Sequence, residues 1–144
     1  MIRALVISLF CALSGCNQQG DVAKQLQYNK VSIHYRDFGA SAPIRYSRSD
    51  LLRFAPVKLL ITERQSIQQL VDVLPRQCVE VQEPTEASLD HYLVIRFSRD
   101  DRFVDEFVAS SLHYVADDGT SKQVCKLDAS VRDKIAAWIE KQLA

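Results

Sequence analysis

Residues 93–127 read LVIRFSRDDRFVDEFVASSLHYVADDGTSKQVCKL, and the alternation within them decides the fold. Leu93, Ile95 and Phe97 alternate with Val94, Arg96 and Ser98, the period of two expected of a strand with one face turned to a core. Arg99 to Arg102 makes a charged turn, after which Phe103 to Val108 resumes an apolar strand. Leu112 to Ala116 and Lys122 to Leu127 flank Asp117-Asp118-Gly119, and Asp-Gly between two strand-like runs is a hairpin signal. The block therefore predicts an antiparallel meander.

Upstream, Val31, Ile33 and Tyr35 alternate with Ser32, His34 and Arg36 and predict another strand. Ser49 to Ala55 predicts a short helical turn ended by Pro56. Val57 to Ile61 is a compact apolar run, followed by Thr62 and Gln65 at capping-box spacing. Ile67, Leu70, Val71 and Leu74 then share one helical face up to Pro75, and Val79 to Gln82 reads as a short strand. At the end of the chain Asp128 or Ser130 caps a helix in which Val131, Ile135, Trp138, Ile139 and Leu143 share a face. The order predicts an α+β domain over residues 30–144, an antiparallel meandering β-sheet packed on one face by two helices.

The N-terminus is of a different kind. Arg3 precedes Ala4 to Leu13, an uncharged apolar run too short to span a bilayer, which needs about 20 residues. Leu13-Ser14-Gly15-Cys16 follows, and these four residues resemble the lipobox of bacterial lipoproteins at every position. The resemblance implies that residues 1–15 are a removed signal peptide, that Cys16 is acylated, and that the protein is tethered to a membrane by lipid. Asn17 is not the aspartate that holds such lipoproteins in the inner membrane, so the implied address is the outer membrane, facing the periplasm. Asn17 to Asn29 is polar and glutamine-rich and reads, with Cys16, as a tether; as a flexible coil it would reach roughly 20 Å. The strand, helix, meander, helix order also resembles small bacterial lipoprotein and secreted domains, without a motif that carries functional residues across.

Composition narrows the function. Formal charge is zero over 144 residues, and the mature part would lose one base, Arg3. That balance argues against a nucleic-acid binder, which needs a concentrated basic surface. With Cys11 in the signal and Cys16 acylated, Cys78 and Cys125 remain; in an oxidising compartment the pair reads as a disulfide, against two free thiols or a metal site. Catalytic and cofactor signatures are missing: only Gly39 and Gly119 follow the tether, too few for a phosphate loop, and neither H-E-x-x-H nor G-x-S-x-G occurs. No catalytic residue, metal or cofactor is therefore expected. Asp100, Asp101, Asp105 and Glu106 lack the alternating oxygens and glycine of a calcium loop. Ser110, Ser111 and His113 lie too close on one strand for nucleophile and base geometry.

Residues 35–54, YRDFGASAPIRYSRSDLLRF, interleave arginine with aromatics, the composition enriched at protein interfaces. Arg36, Arg45, Tyr46, Arg48, Arg53 and Phe54 are the candidate binding surface, against the alternative that the aromatics plug the core edge. The leading expectation is a non-catalytic, membrane-tethered protein that binds another envelope macromolecule, of inhibitor, immunity or accessory type. Two rivals stand beside it. One is a small envelope hydrolase or metal-binding protein using His34, His91 and His113; the other is a binder of peptidoglycan or lipopolysaccharide through the arginine-aromatic segment.

Overall fold

The computed structural model describes residues 27–41, 43–117 and 120–144. The lipobox, most of the tether, and Asp118-Gly119 of the hairpin turn lie outside the described residues. The elements run β1 Lys30–Tyr35, α1 Arg48–Phe54, β2 Val57–Ile61, α2 Arg64–Val73, a 3₁₀ turn Glu86–Ser88, β3 Leu93–Arg99, β4 Arg102–Ala109, β5 His113–Asp117, β6 Lys122–Lys126 and α3 Ala129–Leu143. The six strands form one antiparallel sheet in the order β2-β1-β3-β4-β5-β6. This is the expected α+β class.

Period-two alternation sorts the side chains between two faces. On the first face Val31, Ile33 and Tyr35 of β1, Leu93, Ile95 and Phe97 of β3, Phe107 of β4 and Tyr114 of β5 pack against Ile67 and Leu70 of α2 and Ile135, Trp138 and Ile139 of α3. These are the two helices the sequence predicts. Leu143 is half exposed and takes no part. A smaller cluster on the second face joins Val94, Val108, Val115 and Val124, one from each of four neighbouring strands, to Leu51 and Ala55 of the α1 segment and to Leu89. The short helix therefore covers part of the opposite face, a layer that the reading of one covered face leaves out.

Local chemistry fixes the helix ends. Ser47 and Asp50 form a reciprocal capping box that starts α1 at Arg48, and Pro56 follows its end. Thr62 does not cap α2. Glu63 does, its carboxylate accepting from the backbone N–H of Gln65 at 3.1 Å and Ser66 at 2.6 Å. A carboxylate reaches two unpaired amides and complements the helix dipole, which a threonine hydroxyl cannot match. The expected strand over 79–82 shrinks to a single bridge, Val81 to Cys125, flanked by Gln82 N–H to Val124 O and Lys126 N–H to Glu80 O. It covers the outer edge of β6. Beside it Cys78 and Cys125 stand at disulfide distance, with Cα atoms 5.5 Å apart, tying the segment after α2 to the sheet.

The charged turn between β3 and β4 is a two-residue loop, Asp100 and Asp101, both with positive φ (50° and 64°). Positive φ at both central residues suits the right-handed twist of a hairpin, and Asp tolerates it through local hydrogen bonding. Asn29 donates to Asp100 and accepts from its N–H, while Lys30 pairs with Asp101. These two acidic residues are thus engaged in closing the turn against the start of β1.

Candidate functional site

Loop 36–47 positions the site. Arg36 leaves β1 and turns inward, where its guanidinium carbon lies 4.5 Å from the centroid of the Tyr46 ring and 3.9 Å from that of Tyr92. Its Nη2 donates to Asp90 Oδ1 at 2.8 Å, and the same oxygen accepts the Tyr46 backbone N–H at 2.8 Å. His91 completes the clasp, with its N–H and Nδ1 both against Tyr46 O. Arg36 is 5% exposed and His91 3% exposed. A planar cation between two rings is held by stacking and by ion pairing at once, so this cluster pins the loop to the start of β3 and delivers α1 onto the second face.

The six candidate residues of the arginine-aromatic segment consequently divide. Arg36 and, in part, Tyr46 belong to the internal clasp. Arg45 donates to Ser88 O at 3.2 Å and fastens the loop to the 3₁₀ turn. Arg48, Arg53 and Phe54 lie on α1 and border the part of the second face that α1 leaves open.

Register builds that open part. Lys58, His34 and Val94 are cross-strand neighbours on β2, β1 and β3; the next row is Leu60, Ser32, Arg96 and Glu106, and the one after is Lys30, Ser98 and Phe103. α1 covers the valine end of the first row, and the other positions face outward. Glu106 is the acidic centre: Arg48 grips it with Nε on one oxygen and Nη2 on the other at 2.5 Å, and Arg96 Nε stands 3.4 Å from it. This bond to Glu106 raises the Arg48 pKa further. The Arg96 guanidinium also lies 4.9 Å from the Phe103 ring centroid, and Lys58 Nζ donates to the Arg53 carbonyl at 2.7 Å.

The result is a surface on which Phe54, Leu60 and Phe103 are 66%, 63% and 54% exposed, with Arg48 and Arg96 about Glu106 toward β4 and Arg53 and Lys58 exposed at the other end of α1. His34 sits at its inner margin. Burial, then Lys58 and Arg96, lower its pKa, and Glu106 opposes them.

The three histidines do not meet. His34 is on the second face, His91 is in the clasp, and His113 on β5 has Nδ1 3.5 Å from Ser110 Oγ. That hydroxyl accepts from the backbone N–H groups of Leu112 and His113 and shapes the turn into β5. Among the described residues no group of three or more His, Cys, Asp or Glu side chains is placed to hold a metal ion.

Sequence reasoning misses Lys58, Leu60, Arg96 and Phe103 as partners of the α1 residues. Their outward positions are readable from alternation; their adjacency depends on β1 lying between β2 and β3. Compared with protein-family models, curated proteins and solved structures, the chain matches none.

Proposed function

We propose that this chain is a lipid-anchored, non-catalytic protein of the bacterial cell envelope, facing the periplasm from the outer membrane, that binds another envelope protein through the open part of the second sheet face. The lipobox-like Leu13-Ser14-Gly15-Cys16 supports the anchor and the address, and the Cys78–Cys125 pair suits an oxidising compartment. The observation that carries the binding reading is the exposure of Phe54, Leu60 and Phe103 together with the exposed cations Arg53 and Lys58. Three large apolar side chains left in water on one face favour a contact that covers them, and arginine with aromatics is the pairing that dominates binding hot spots.

Arg53 and Lys58, exposed beside Leu60, select a partner with apolar contacts flanked by carboxylates. Blocking or supporting such a partner, as an inhibitor, immunity or accessory protein does, needs only that contact.

The test is recovery of crosslinked complexes from detergent-solubilised envelopes with the native chain and with Arg53→Glu/Lys58→Glu. Both positions are exposed, so the variant should fold. The native chain should recover a discrete partner, and the charge reversal should reduce recovery by roughly tenfold or more, since like charges across an interface cost several kcal/mol. Equal recovery by both chains overturns the reading.

A further inference from the structure

The sheet has an opening of its own. β4 is eight residues long and β5 five, yet only Val108 with Val115 and Ala109 with Tyr114 are in register. On its other side β4 pairs with β3 along its whole length. Among the described residues, Arg102–Phe107 therefore has no ladder partner on the β5 side. A cause is visible in the register shift between Phe97 and Ser98, which leaves Val104 as an extra residue on β4; such a bulge bends its strand and sharpens the local twist.

Two hollows flank the gap. One, of ≈ 540 Å³, opens on the helix-covered face beside Tyr28, Leu74, Phe97, Phe107 and Tyr114. The other, of ≈ 500 Å³, opens on the second face beside Arg48, Glu86, Phe103 and Lys122. They share Asp105, Glu106, Val115 and Asp117, so they are two mouths of one fork between β4 and β5.

We propose that this fork is a strand-acceptor site, taking an extended segment of another protein in which apolar and charged side chains alternate. A strand can meet the backbone groups that Phe103 and Glu106 turn to the open side, the Glu106 N–H being held meanwhile by Asp105 Oδ1 at 2.8 Å, whereas a compact small molecule would fill one mouth and leave that edge in water. Successive side chains of a strand point to opposite faces. One set would enter the mouth lined by aromatic and leucine side chains; the other would meet Arg48 and Lys122 with Glu86, Glu106 and Asp117, two cations and three carboxylates. Apolar residues alternating with residues of both charges answer both mouths. The site shares Arg48, Phe103 and Glu106 with the proposed surface but needs neither the Arg53 and Lys58 contact nor the lipid.

The probe is the peptide KVEVKVEVK, with VVVVKKKEE of the same composition as control, added at millimolar concentration to the full chain in detergent and followed by amide hydrogen exchange and chemical shift. In the free chain the amides of Phe103 and Glu106, which face the open side, should exchange at least roughly tenfold faster than those of Leu93–Phe97, which lie in ladders on both sides. The alternating peptide should slow them by a similar factor and shift Val115 and Ala116, and the control peptide should do neither. Phe103→Pro, which deletes one N–H from the open edge, should abolish the effect at Glu106; the exchange comparison in the native chain stands without that variant. Protection of Phe103 and Glu106 before any peptide is added overturns the proposal, because the chain then fills its own gap. So does concentration-dependent dimerisation that protects the same amides, equal action of the two peptides, or no effect from either. The Arg53→Glu/Lys58→Glu variant should keep peptide binding, which separates failure of this site from failure of the proposed surface.

Discussion

Reducing the Cys78–Cys125 pair is expected to cost the fold much of its stability. The two cysteines are 47 residues apart, and closing a loop of that length removes unfolded-state entropy equivalent to about 4 kcal/mol at 25 °C. Native contacts beside the pair reduce little of that cost. The Val81 to Cys125 bridge is one isolated pairing, flanked by two backbone hydrogen bonds, and Tyr114 Oη donates to Gln77 O at 2.8 Å. Domains of this size are held by about 5–15 kcal/mol in total, so the loss is a large share. The assay is urea unfolding followed by Trp138 fluorescence, with and without a phosphine reductant, on the same chain. With a slope of about 2 kcal/mol per molar urea, the midpoint should fall by roughly 2 M. Amides of residues 77–82 should lose protection first. A midpoint shift below about 0.5 M would refute the reasoning, because the constraint on the unfolded chain would then be worth little.

Further outcomes follow from the charged groups. The His34 pKa is lowered in the fold, so its contribution to stability is complete above the ordinary histidine value of 6.5 and is lost as pH falls from there through the lowered value; His34→Asn should flatten the decline in unfolding midpoint between pH 7.5 and 5.5. Tyr28 has its pKa raised to about 12, by burial first and then by Asp105, whose carboxylate accepts its hydroxyl; absorbance titration at 295 nm should show Asp105→Asn bringing that ionisation down without restoring the ordinary value. Glu106→Gln leaves Arg48 and Arg96 facing each other around a neutral amide and should cost about 1–3 kcal/mol in urea unfolding, less at high salt. The Glu63 cap, with its pKa lowered first by the Ser66 side chain and then by the Ser66 and Gln65 N–H groups it accepts, should lose its effect as pH falls through its lowered value; Glu63→Ala should deprotect the first-turn amides of α2 at neutral pH.

Much of the architecture is written locally. Alternation in Val31–Tyr35 and Leu93–Ser98 gives both strands and the side chains they bury, because a period of two has one geometric meaning. The α2 face is equally plain in Ile67 and Leu70. The cap of α2 is less so, since Thr62 and Glu63 are both acceptable acceptors and only the chain path selects between them. The placement of β1 between β2 and β3 was not legible at all: nothing in residues 57–61 states which strand they pair with. That placement brings Lys58 and Leu60 into the rows of Arg96 and Glu106. Arginine-aromatic composition pointed to residues 35–54 but could not separate Arg36, drawn inward by Asp90 and two tyrosine rings, from Arg53, left in solvent. The fork between β4 and β5 was hidden for the same reason, because strand propensity reports that a segment is extended and not how far its neighbour follows it.

The central claim is that the face bearing Leu60 is covered by a partner in the envelope. The direct measurement is photo-crosslinking in intact cells, with a benzophenone amino acid placed at Leu60 and, as a control, at Leu143, which is half exposed on α3. The account predicts a discrete crosslinked band from position 60, absent from position 143 and lost when Arg53→Glu/Lys58→Glu is added. A chain that gives no band at position 60, or the same band at both positions, contradicts it.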